Sequence, residues 1–142
     1  MFDGILLNYE VSAQAVWEKV TNHLLQQGVA SVSNMTGGCA YYGEDGTKCA
    51  IGVLIPKEEY TPNVEGVPIR NLFDKYYCPP SLLKLRECSD LLDELQRAHD
   101  VYYNRKTLRK EWYLRLVNIG RQYQLDTSSI EKKWKSQLSM NY

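Results

Sequence analysis

Five stretches of this chain carry apolar residues at helical spacing, and one short stretch between them carries the pattern of a hairpin. Ala13, Val16, Trp17, Val20 and Leu24 form the stripe of an amphipathic helix. Ser12 is its expected N-cap and Gly28 its closing residue, while Met1–Val11 reads as a strand or an irregular arm. Ile69, Leu72, Phe73 and Tyr76 share a second face, which stops at Cys78-Pro79-Pro80. Ser81 then caps the longest predicted helix, Leu82 to Tyr103, striped by Leu85, Cys88, Leu92, Leu95, His99 and Tyr102. Thr107 begins another helix, with Leu108, Trp112, Leu116, Ile119 and Tyr123 inward. Asp126 or Thr127 opens a last one on Ile130, Trp134 and Leu138.

The hairpin lies at Cys39–Tyr60. Tyr41-Tyr42 and Lys48–Ile51 read as its strands, joined through Gly43-Glu44-Asp45-Gly46, whose Asp-Gly pair suits a tight turn. The expected register pairs Gly43 with Thr47, Tyr42 with Lys48 and Tyr41 with Cys49. It sets Tyr41, Cys49 and Ile51, with Cys39 alongside, on a core face, and Tyr42 and Lys48 on an exposed one. Val29–Gly38 ahead of it is loop-like, and its closing Gly37-Gly38 pair is expected to be flexible. These elements predict an α+β fold: a mostly helical single domain, 1–142, with a small hairpin or sheet packed on a long central helix.

Composition adds a charge split. The chain has 142 residues and no net charge, yet residues 1–104 carry a balance of −6 and residues 105–142 one of +6. An acidic hairpin-plus-helices body is therefore followed by basic C-terminal helices, which allows self-association or an acidic partner. The opening MFDGILLNYEV lacks the features of a secretory leader, and no apolar run is long enough to span a bilayer. A soluble protein of the cytoplasm is expected, with no membrane partner. Eleven tyrosines and three tryptophans against two phenylalanines suit partly wet surfaces.

Candidate chemistry is sparse. Cys39, Cys49, Cys78 and Cys88 lack the close pairing of zinc knuckles, so no metal is expected and the thiols read as free. A cysteine enzyme would use Cys49 or Cys39 with His99 as base and Asp100 or Glu94 as orienter. Successive helical residues diverge by about 100°, so His99 and Asp100 are expected not to form an orienting pair. Gly43, Gly46 and Lys48 carry no Walker or dinucleotide fingerprint. No catalytic residue and no cofactor is assigned. Tyr41, Tyr42, Asp45, Lys48, Arg70 and His99 are the candidate binding residues, and a nucleotide-like signal is one ligand they would suit. The basic tail, interleaved with Trp112, Tyr113, Tyr123 and Trp134, offers nucleic acid as another partner.

The run from Gly38 to Tyr60, G-C-x-Y-x-G-x-D-G-x-K-C-A-x-G-x-L-I-P-x-E-x-Y, resembles a signature of small phage and prophage proteins. Leu95-Gln96-Arg97-Ala98-His99-Asp100 and the Leu24–Gly28 helix end are similar to the same family. The chain departs from that pattern at Tyr42, where an arginine is common, and at Lys57, where an aspartate is. The resemblance covers about the first two thirds of the chain and implies no activity. It implies a phage protein in the host cytoplasm, and the expected function is a non-enzymatic one: binding and antagonising a host or defence component.

Overall fold

The structure, a computed structural model, describes residues 2–32, 39–74, 77–100 and 106–138, with side chains of the first helix from Ser12 onward. Tyr76, Tyr102, Tyr103 and the Gly37-Gly38 pair, all used in the sequence reading, lie outside the described residues. The elements are α1 (Phe2–Gln27), α2 (Ile69–Leu72), α3 (Pro80–Leu83), α4 (Ser89–Asp100), α5 (Leu108–Gln122) and α6 (Ser128–Gln137). Several 3-10 turns join them. No helix among the described residues is long and apolar enough to cross a membrane.

The fold is helical, not α+β. The hairpin register holds as far as it goes: Gly43 N–H donates to Thr47 O at 2.9 Å and Cys49 N–H to Tyr41 O at 3.2 Å. Tyr42 and Lys48 form an antiparallel bridge, and Asp45 and Gly46 both take positive φ, 57° and 75°. The ladder stops there, and among the described residues there is no sheet. Gly52 explains why. A Cβ on it would lie 1.9 Å from Tyr41 O, so the chain presses onto its partner strand and curls into a 3-10 turn at Gly52–Leu54.

Two helix limits also differ from the pattern. The pattern predicts a strand or an irregular arm for Met1–Val11, yet α1 runs unbroken from Phe2 through Ser12, because serine inside a helix costs only about 0.5 kcal/mol. The single helix expected over Leu82 to Tyr103 is broken. On one continuous helix Leu82 and Cys88 would point about 120° apart. The 3-10 turn at Arg86–Cys88 lets both enter the core, and α4 starts afresh at Ser89. Ser81 does not cap. Instead Glu59 caps α3, accepting from Ser81 N–H at 2.8 Å and from its hydroxyl at 2.7 Å.

The core forms where α1, α4 and α5 meet. Trp17 of α1 and Leu91, Leu92 and Leu95 of α4 pack with Trp112 and Leu116 of α5, all fully buried. The Trp17 indole N–H donates to Leu116 O at 2.8 Å. Its ring lies where Gly120 leaves room: a Cβ there would be 2.6 Å from Trp17 Cζ2. Helix α6 closes the far side, with Trp134 Nε1 donating to Asn22 at 2.8 Å. Gly120→Ala should therefore cost about 1–3 kcal/mol through overpacking, read as a lower urea midpoint with unchanged slope.

Candidate functional site

Among the described residues the hairpin gains only the Val32–Cys39 bridge and the Ala40 N–H to Ser31 O and Glu44 N–H to Val32 O bonds from other backbone, so its remaining outward groups are satisfied by other means. Side chains do most of it. Glu65 accepts from Tyr41 N–H at 2.9 Å, from Tyr42 N–H at 3.1 Å and from the Tyr60 hydroxyl at 2.7 Å. Gln27, at the end of α1, accepts from Lys48 N–H at 2.9 Å and donates to Lys48 O at 3.0 Å. His23 Nε2 lies 2.9 Å from the same carbonyl. Gln96 of α4 accepts from Ile51 N–H at 3.2 Å.

His99 makes the same kind of contact one step further along. It is buried, stacked on the Trp112 ring with centroids 5.6 Å apart, and its Nε2 accepts from Ser31 N–H at 3.0 Å. An acceptor Nε2 leaves the proton on Nδ1. That nitrogen lies 3.0 Å from Asp100 Oδ1. The neighbours thus do meet, against the expectation that successive helical residues diverge, because they sit at the last turn of α4 where the Asp100 carboxylate folds back. Gln96 Nε2 also donates to Asp100 Oδ1 at 2.8 Å, and the Cys39 thiol hydrogen-bonds the same side chain.

Cys39, His99 and Asp100 bring their donor atoms within 4.8 Å of one another. The electrostatics of this set disfavour a thiolate. Partial desolvation in the cleft wall first, then the Asp100 carboxylate, pushes the Cys39 thiol up to about 12, so it stays protonated at neutral pH. Burial alone would raise Asp100, but the bonds from His99 and Cys39 outweigh it and hold the carboxyl below its ordinary range. A metal at Nδ1 would require Nε2 to carry the proton, facing the Ser31 N–H. Two donors would then meet, so the trio does not fit a metal.

Beside the trio opens a cleft of about 240 Å³, walled by Cys39, Tyr41, Glu65, Asp93, Arg97 and Asp100. Of the candidate binding residues, Tyr41 lies in this wall, buried, its hydroxyl donating to Val67 O. His99 lies behind it through Asp100. Arg70 reaches the rim, pairing with Asp90 at 3.1 Å and Asp93 at 3.7 Å. Tyr42 and Lys48 are elsewhere: the Tyr42 ring stacks on Tyr60 at 4.0 Å, its hydroxyl donates to Ile55 O, and Lys48 Nζ lies 4.7 Å above it. Asp45 is exposed at the turn tip. The pair Cys39 and Cys49, both expected in the core, divides: Cys49 is buried with its thiol pushed to about 12 by burial, whereas Cys39 is exposed on the cleft. Glu65, Asp93, Gln27 and Gln96 were missed, since polar residues in a Pro/Gly loop or on a helix edge leave no periodic signal.

Comparison of the chain with protein-family models, curated proteins and solved structures finds no match.

The Glu65 clasp predicts that Glu65→Ala costs about 3 kcal/mol, since three donors lose a charged acceptor. Denaturant unfolding measures it, and a cost under about 1 kcal/mol would show that water replaces the carboxylate. His23 gives a pH signature. Burial, its largest influence, lowers its pKa from 6.5, so the unfolded chain binds the proton more readily. Stability should fall as pH drops below about 6.5, levelling off once the folded-state value is passed. His23→Gln should flatten that part of the profile.

Proposed function

We propose that this protein is a non-enzymatic interaction protein of the phage type, which acts by binding a host or defence component. The observation that carries the reading is the wiring of Cys39, His99 and Asp100. The imidazole nitrogen that would serve as base accepts from Ser31 N–H, and the thiol is held protonated by desolvation and by the carboxylate beside it. Cysteine catalysis needs a thiolate or a base within reach of the thiol proton. The carboxylate that accepts from Cys39 is held below its ordinary range and is too weak a base to take that proton, and the groups brace the hairpin instead. The resemblance of Gly38–Tyr60 to small phage proteins supports the choice of a host component as partner.

A small-ligand reading is favoured by the cleft itself. Its wall holds Glu65, Asp93 and Asp100 against Arg97. That balance suits a cationic amine better than the phosphate of a nucleotide, which a cluster of carboxylates repels. For the basic tail, Trp112 and Trp134 are buried, which removes them as stacking platforms for nucleic acid.

Alkylation of Cys39 tests the main reading. With a thiol value near 12, iodoacetamide should label Cys39 far more slowly at pH 7.5 than a free peptide thiol. Asp100→Asn should speed the labelling. Fast labelling of the wild type at neutral pH would favour the cysteine-enzyme reading instead. In the same assay spermidine, but not AMP or a cyclic dinucleotide, should slow the Asp100→Asn-independent part of the reaction if the cleft holds an amine.

A further inference from the structure

We propose that the cleft beside the hairpin is a binding site for an organic cation, one ammonium or guanidinium group carried on a short apolar stem. The inference rests on the binding-protein reading and deepens it by naming the chemistry of what is bound. Three carboxylates, Glu65, Asp93 and Asp100, stand in the cleft wall, and they differ in what faces them. Asp93 is ion-paired, at 3.2 Å to Arg97 and at 3.7 Å to Arg70. Glu65 and Asp100 have no Lys or Arg partner among the described residues. The donors to Glu65 are two backbone N–H groups and the Tyr60 hydroxyl. Those to Asp100 are the Gln96 amide, the Cys39 thiol and the Nδ1–H of an imidazole whose Nε2 accepts from Ser31 N–H. Neutral donors satisfy lone pairs and leave the charge in place, so two carboxylates share one recess without a counter-ion.

Neighbouring groups feel that charge. Burial first, then Cys49, Glu65 and Asp100, raises the Tyr41 hydroxyl above its ordinary range. Asp100 likewise adds to the rise of the Cys39 thiol. Both side chains line the cleft, so a field that opposes further negative charge extends across it, and a cation placed there is favoured.

Size and lining narrow the occupant. At about 240 Å³ the cleft falls below the roughly 300–1,000 Å³ of pockets that enclose drug-sized ligands. A nucleotide is therefore too large for it as well as wrongly charged. Val67 and Pro68, in the loop wall, are apolar and partly open, a surface suited to a methylene stem. A divalent metal ion fits less well. It takes about six or more oxygen ligands, and both Glu65 oxygens already accept from the hairpin.

The test is a titration of the isotope-labelled full chain with butylguanidine, followed by amide chemical shifts. Saturable shifts are expected at Tyr41, Glu65, Gln96 and Asp100. Butylurea, a neutral analogue of nearly the same shape, should bind about tenfold or more weakly, as should butylguanidine to Asp100→Asn. The butylurea comparison uses the wild-type chain, so it does not depend on a variant folding. A peptide with one arginine among glycines and serines separates the two sources of such a cation. Tighter binding than butylguanidine assigns the cleft to a basic side chain of a partner protein, and equal or weaker binding assigns it to a free amine or guanidine; either result upholds the site. The proposal is overturned if butylguanidine gives no saturable shifts, if butylurea binds equally well, or if the shifts lie outside the cleft. It is also overturned if magnesium ion at equal concentration gives the same shifts, since the wall would then be an acidic surface and no more. Alkylation of Cys39 in the ligand-free chain reads the catalytic question separately, so a cleft that binds nothing leaves the non-enzymatic reading standing.

Discussion

A hairpin two strands wide must find partners for backbone groups that a sheet would have paired, and this fold meets that demand with side chains. Glu65, Gln27, His23, Gln96 and His99 reach it from a loop, from α1 and from α4. An isolated hairpin is marginal in water. Here the polar clasp and the burial of Tyr41, Cys49 and Ile51 on one side make it part of the helical core. The chemistry of the molecule follows from that constraint.

The Cys39, His99 and Asp100 cluster shows the consequence most directly. In composition it is a catalytic or metal-binding set. Its hydrogen bonds give it a different role, because each lone pair or proton that chemistry would use is engaged by the backbone or by a neighbour. Ser31 N–H takes the imidazole lone pair, Nδ1 faces Asp100, and the carboxylate gathers the donors around it. With His99 buried and Cys39 and Asp100 at the surface, these bonds hold the cleft wall in place. The open volume beside it is thus a preformed recess, with acidic walls whose charges are partly balanced by Arg97 and Arg70.

Charge is organised on a larger scale too. The ion pairs Arg70–Asp90, Arg86–Asp74 and Arg97–Asp93 lie within the acidic body, and Arg121–Glu131 lies within the basic helices. What joins the two sections is apolar packing and hydrogen bonds, chiefly Trp17 on Leu116 and Gly120, Trp134 on Asn22 and Gln14 on the turn at Asp126, with Arg109 donating to Gln26 O and Ser129 to Glu18. The opposite charges of the two sections therefore stay largely at the surface, where exposed ion pairs add little to stability.

The apolar periodicity alone determined the helices at Ala13–Leu24, Leu108–Tyr123 and Ile130–Leu138, because a buried stripe repeats every three to four residues whatever it packs against. It also placed the turn at Asp45-Gly46 and the pairing of Tyr42 with Lys48, since local backbone preference sets both. Whether that pairing grew into a sheet was not a local matter. It depended on how closely Gly52 approaches Tyr41 O and on polar side chains from distant positions competing for the ladder's hydrogen bonds. The break before Ser89 and the meeting of His99 with Asp100 are of the same kind. Only tertiary packing decided them, because a residue's hydrogen-bond partner is chosen by what the fold brings within 3 Å or so, and side chains 65 or more positions apart, such as Ser31 and His99, leave no trace of that choice in the pattern of the chain.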